Sequence, residues 1–242
     1  MSDYKIMAET LKNLLGMKNE AVAIKLLDNN DSAPDYDQTN KYTFCQFIMK
    51  AREGHKLLAT GDNIACANGA SALGFTPVPE KIRSGEFMAQ LGSFQQAGAQ
   101  QTMAVMPRFS LGQYTGIALA PLSEVDFEPD LIVLETVPEQ LMWLSLAVIH
   151  QQGGRLQFST NVSNGACVDI TVVPQQTQAL NVSLGCYGCR NATSIPAEHL
   201  LAGFPAKLLP EIIASLQSLS DKVIPRSREK KAYARVKSSA DK

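Results

Sequence analysis

"DLIVLETVPEQLMWLSLAVIHQQGG", residues 130–154, decides how the fold is read. Its first part, "DLIVLETV" (130–137), is a β-rich apolar run of strand length. Pro138 then stands where the first turn of a helix tolerates proline, apolar residues fill the body that follows, and Gly153 marks its end. "RLQFSTNV" opens another strand-like run at Arg155. Strand, helix and strand over this length predict a βαβ unit over about 130–160, with a right-handed connection.

Working outward, "GIALAPL" (116–122) is a second short β run. Residues 3–15 have the spacing of an amphipathic helix with Ile6, Leu11, Leu14 and Leu15 inward, and "AVAIKLL" from Ala21 reads as a first strand. A helix is expected over Phe44 to Arg52 with Gly54 as its stop. "IACANGASALGF" predicts a strand or turn at Cys66 and a short helix ending at Gly74. After Cys167, "VDITVV" and "ALNVSL" read as β runs separated by a polar turn with Pro174. A C-terminal helix is expected over roughly 197–223, interrupted by Pro205 and Pro210. The fold class is therefore α/β or α+β, a mixed sheet with flanking helices. It is read as one domain over 1–224 followed by a basic polar tail over 225–242. That tail carries seven Lys or Arg against two acidic residues, and is expected to be a solvated helix or a frayed end.

A chain of 242 residues with 45% hydrophobic content can bury a substantial core. A net charge of -1 and a pI near 6.3 argue against a nucleic-acid partner, which would call for an excess of Lys and Arg on one face. "MSDYKIMAETLKNLL" lacks the apolar core of a signal peptide, and "LMWLSLAVI" (141–149) is too short to span a bilayer. The expected compartment is the cytoplasm, with no membrane partner, and a homodimer fits a mixed sheet of this size. A reducing compartment disfavours structural disulfides and turns attention to what else the five cysteines do.

"SLGCYGCRN" (183–191) pairs Cys186 with Cys189, and Gly185 and Gly188 bracket Cys186. Glycine lets backbone N–H groups turn toward sulfur. Cys45 and Cys66 both fall near predicted helix starts, where a thiolate is stabilised. "NVSNGAC" ending at Cys167 and "NVSLGC" ending at Cys186 form a short echo that would deliver two cysteines to one sheet edge. Burial as a small hydrophobe is the ordinary alternative for each, Cys167 above all. Three chemistries compete. A thioredoxin-like pair needs a helix directly after C-x-x-C, whereas Asn191 to Ile195 reads as loop. Zinc needs four ligands, but only one C-x-x-C knuckle is present and His55, His150 and His199 show no ligand spacing. An iron-sulfur cluster takes four thiolates and tolerates distant ones. Lys50, Arg52 and Arg190 can supply charge to a cluster or an acidic ligand. His55 is a candidate proton carrier, and Glu135 closes a strand where sheets present functional groups. No dinucleotide fingerprint, Walker A loop, nucleophile elbow or H-E-x-x-H motif occurs.

In order along the chain, "FCQFIMKAREGHKL", "CANGASALGF", "GACVDITVVP" and "LNVSLGCYGCR" resemble the DUF169 family, the uncharacterised ArCR proteins of archaea and anaerobic bacteria. The resemblance covers roughly residues 20–220. It implies a pattern of Cys45, Cys66, Cys167 and Cys186 with Arg190, and leaves Cys189 outside it. It implies no established reaction. Its anaerobic setting favours an iron-sulfur cluster, of the four-iron type, over zinc, and a redox or electron-transfer role with a redox partner protein or a small-molecule ligand. The competing expectation is a non-enzymatic binding module whose cysteines hold zinc or simply pack.

Overall fold

The computed structural model describes residues 3–240; residues 241 and 242, the end of the expected basic tail, lie outside them. In chain order the elements are α1 (Tyr4–Leu15), β1 (Val22–Leu27), α2 (Phe44–Arg52), β2 (Leu57–Ala59), α3 (Ala67–Ala72), α4 (Glu80–Arg83), α5 (Glu86–Gln90) and α6 (Gln96–Ala104). Then come β3 (Gly116–Pro121), β4 (Leu131–Thr136), α7 (Pro138–Val148), a π-helix (Gly165–Val172), α8 (Val173–Thr177), β5 (Asn181–Ser183) and α9 (Tyr187–Ala192). β6 (Leu200–Pro205), α10 (Leu209–Arg228) and α11 (Lys231–Ala240) complete the chain. Among the described residues no helix is long and apolar enough to cross a membrane.

The six strands form one sheet in the order β2-β3-β1-β4-β6-β5, and every neighbouring pair is antiparallel. Because side chains alternate along a strand, each strand feeds two cores. Val22, Ile24 and Leu26 of β1 join Leu131 and Val133 of β4 on one face, under α2, α6 and the π-helix. Ala23, Ile132, Leu134 and Phe204 look the other way, onto α1, α7 and α10. With helices on both faces, β3 and β4 are buried along their whole length. That explains their unbroken apolar sequences, a feature usually associated with parallel sheets.

Three expectations are corrected. β4 and α7 form as read, with Pro138 in the first turn of α7, but no strand follows at 155–162, so the βαβ unit over 130–160 is absent. There the Asn181 side chain accepts from the Ser159 N–H (2.7 Å) and donates to the Ser159 carbonyl (2.8 Å), replacing a rung of sheet with a side chain. "VDITVV" is not a strand but the body of the π-helix and the start of α8, buried on every side. Its β-branched residues favour strands only weakly, and burial against β6 overrides that preference. Thr171 Oγ1 donates to the Ala166 carbonyl five residues back (2.9 Å), as the wider pitch allows. Lastly, "LLAGFP" is β6 rather than the start of the C-terminal helix. Pro205 ends that strand, and Pro210 sits in the first turn of α10.

Candidate cysteine centre

All five cysteines are free, and all five line a single cavity of about 260 Å³ under the sheet face that carries α2. Each arrives by a different local device. Thr43 caps α2 in a reciprocal capping box with Gln46, which puts Cys45 in the first turn, and Thr43 Oγ1 lies 3.1 Å from Cys45 Sγ. Cys66 is itself the N-cap of α3, its sulfur accepting from the Gly69 N–H at 3.4 Å. Cys186 caps α9 in the same way, accepting from the Cys189 N–H at 3.3 Å. Cys167 rides on the π-helix, 3.5 Å from Asn164 Nδ2. A short helix thus begins inside C-x-x-C, and the loop expected at 191–195 is found at 193–195, with Asn191 and Ala192 still in α9.

The glycines beside the sulfurs differ in what they allow. A Cβ on Gly69 would stand 3.8 Å from Cys66 Sγ and 3.9 Å from Cys167 Sγ, and one on Gly188 3.7 Å from Cys186 Sγ, all ordinary contacts. One on Gly165 would crowd Cys189 Sγ at 3.1 Å. Most of the lining surface is apolar, although Thr43, Asn68, Ser163, Asn164 and Asn191 also border it, and Phe87, Leu91 and Tyr187 stand exposed at its side.

The thiols form a hydrogen-bonded series. Cys186 Sγ donates to Cys189 Sγ at 3.3 Å, and Cys189 in turn bonds to Cys45. Cys45 receives the last bond, and that bond, with help from Thr43, holds it below the ordinary thiol range despite burial. Cys186 is pushed well up by its own bond to Cys189 and by burial. In Cys189 the bond from Cys186 is outweighed by the bond to Cys45 and by burial, leaving it at about 11. Burial and the neighbouring sulfurs raise Cys167 well above its usual value. The thiols of the centre are thus set apart, Cys45 shifted down and Cys167, Cys186 and Cys189 shifted up.

The family model of DUF169, described as uncharacterised ArCR, matches residues 10–215. The chain belongs to the DUF169 family. An uncharacterized protein of Methanocaldococcus jannaschii is 31% identical over 215 residues, covering 87% of this chain and 92% of the relative. No solved structure matches the chain.

Within this DUF169 chain, Cys45, Cys66, Cys167 and Cys186 come together, and Cys189 joins them as the most enclosed of the five, 2% exposed. Among the described residues, no group of three or more His, Cys, Asp or Glu side chains is arranged to hold a metal ion. Arg190 faces away from the role of a charge on the cavity. Its guanidinium donates to the carbonyls of Leu184 (2.6 Å), Pro196 (2.6 Å) and His199 (2.7 Å), bracing α9 against the approach to β6. Lys50 pairs with Glu53 at 3.0 Å, Arg52 pairs with Glu135, and His55 is exposed. The sequence reading passed over Thr43, although the T-x-x-Q pattern of a capping box before "FIMKA" marks it. Thr43→Ala is expected to cost about 1 kcal/mol in chemical denaturation, through the lost cap.

Proposed function

We propose that the cysteine cavity holds an iron-sulfur cluster of the four-iron type, with Cys45, Cys66, Cys167 and Cys186 as its thiolates, in a redox role. The observation that carries this reading is the delivery of five free thiols from four separated chain segments to one largely apolar cavity. The donor set fits the group: thiolate is the standard ligand of such clusters, and backbone N–H groups already point at Cys66 and Cys186. A single zinc ion requires four ligands converging at about 2.3 Å from one point. A cluster shares its thiolates among separate irons, so it does not require the four sulfurs to converge on one point. When bound, the cluster supplies one-electron transfer. The chain's part is to hold the thiolates, to exclude water with Phe44, Met88 and Leu91, and to tune the potential through the N–H donors.

Protein purified without oxygen should be coloured, with about four irons and four acid-labile sulfides per chain. Colourless protein that takes up no iron on reconstitution overturns the reading, and zinc in its place supports a structural thiolate site. A second reading rests on the 3.3 Å between Cys186 and Cys189 Sγ at a helix start, the arrangement of a dithiol that closes to a disulfide. It is favoured if metal-free protein loses two protons' mass on mild oxidation and a peptide map joins those two residues.

A further inference from the structure

The other end of α2 borders a second feature that owes nothing to the cysteines. Glu135, near the end of β4, has a side chain only 1% exposed, and it holds partners from two distant segments, Arg52 Nη1 and His199 Nδ1. Burying a carboxylate is costly unless it is paired, and removing one partner leaves a stranded charge. A purely structural brace would close over such a cluster. Here Arg52, Glu135 and His199 instead line an open cleft of about 500 Å³, together with Lys18, Asn19 and Glu198.

The cluster is also held from behind. Arg190 donates to the His199 carbonyl at 2.7 Å, and the His199 N–H donates to the Pro196 carbonyl at 3.0 Å, fixing the backbone that carries the ring. With Nδ1 committed to Glu135, Nε2 is the ring's remaining polar atom, and the side chain is 21% exposed at the cleft. Among the described residues neither Nε2 nor Lys18 Nζ has a protein partner. Glu135 Oε2 meets Arg52 as an ion pair without a well-aligned hydrogen bond. The charged groups facing the cleft are thus Arg52, Lys18 and His199 against Glu135 and Glu198, with Glu53 3.6 Å from Arg52.

We infer that this cleft binds a small molecule through a carboxylate or phosphate group, met by His199 Nε2–H and Lys18 Nζ, while Arg52, whose Nη atoms are held by Glu135 and Ser194, adds positive charge to the cleft without donating to the ligand. Because Nδ1 donates to Glu135, Nε2 can donate as well only when the ring is an imidazolium. Oxyanion binding is therefore linked to proton uptake at His199, and by reciprocity a bound oxyanion must raise the pH at which His199 titrates.

NMR titration of the histidine ring signals in the full chain tests this. The sequence holds only three histidines, and His199→Asn identifies the signal of interest. Inorganic phosphate and acetate are the two probes. The expected result is an upward move of the His199 midpoint with one or both probes, while His55 and His150 stay in place. A response to phosphate alone assigns a phosphate ligand, and one to acetate alone a carboxylate. Lys18→Met, at an exposed position that should leave the fold intact, is expected to weaken the effective probe about tenfold or more. An unmoved His199 midpoint with both probes, equal movement of all three histidines, or unchanged affinity in Lys18→Met overturns the assignment. None of these readings depends on iron content or colour, so the cysteine centre can fail while this site stands.

Discussion

Gly203→Ala should destabilise the protein by about 3 kcal/mol, which for a chain of this size lowers Tm by roughly 10 °C. Gly203 lies on β6, paired to Val133 of β4 on one side and to Asn181 of β5 on the other, so the strand cannot move sideways. A Cβ there would stand 2.2 Å from the Ile170 carbonyl oxygen and 2.9 Å from Ile170 Cα. Both are backbone atoms of the π-helix, and no rotamer change relieves the clash. A glycine inside a strand often marks such an approach by a second backbone. The π-helix must lift off the sheet or lose its pitch, and Cys167 moves with it. Gly98→Ala is the control: Gly98 is exposed within α6, its nearest neighbour for a new methyl is a Phe94 ring atom at 4.0 Å, and the helix should gain about 0.5–1 kcal/mol. Thermal unfolding of both variants against the parent checks the pair. A Gly203→Ala protein as stable as the parent would mean that the π-helix does not rest on β6.

How far the fold was legible depends on which residues carried local signals. α7 was readable because Pro138 and the apolar body that follows obey helix rules that need no tertiary context. α2 was readable for a similar reason, its apolar face and its basic last turn agreeing. The sheet's direction was not: a strand buried on both faces has the same apolar sequence whether its neighbours run with it or against it, so Leu131–Thr136 pointed wrongly to a parallel crossover. The π-helix was hidden because Val168, Ile170, Thr171 and Val172 favour strands, and only the bare backbone at Gly203, far along the chain, makes room for a helix there. The cysteine centre was partly legible. Predicted helix starts singled out Cys45 and Cys66, flanking glycines Cys186, and the repeated Asn-Val-Ser placed Cys167 beside it, but the joining of Cys189 to them depends on packing. The partners of Glu135 could not be read at all, since Arg52 and His199 meet it only through the sheet.

Cys186→Ser is expected to lose nearly all the iron and sulfide of protein purified without oxygen, from about four of each to close to none, while keeping its fold. The fold should survive because Cys186 acts as a helix N-cap, accepting from the Cys189 N–H, and serine is among the best residues for that task. The variant therefore removes a soft ligand while preserving the local structure, and far-UV circular dichroism measures the second property independently of the first. Cys66→Ser obeys the same logic at the start of α3. Cys189→Ser is expected to behave in the opposite way. That residue is the least exposed of the five, and a buried hydroxyl should cost about 1–3 kcal/mol of stability while leaving most of the iron in place. Equal loss of iron from Cys186→Ser and Cys189→Ser would make the C-x-x-C pair, rather than four distant cysteines, the unit that binds. Retention of iron in both would exclude Cys186 as a ligand and leave Cys45, Cys66 and Cys167 as the residues that would hold the group.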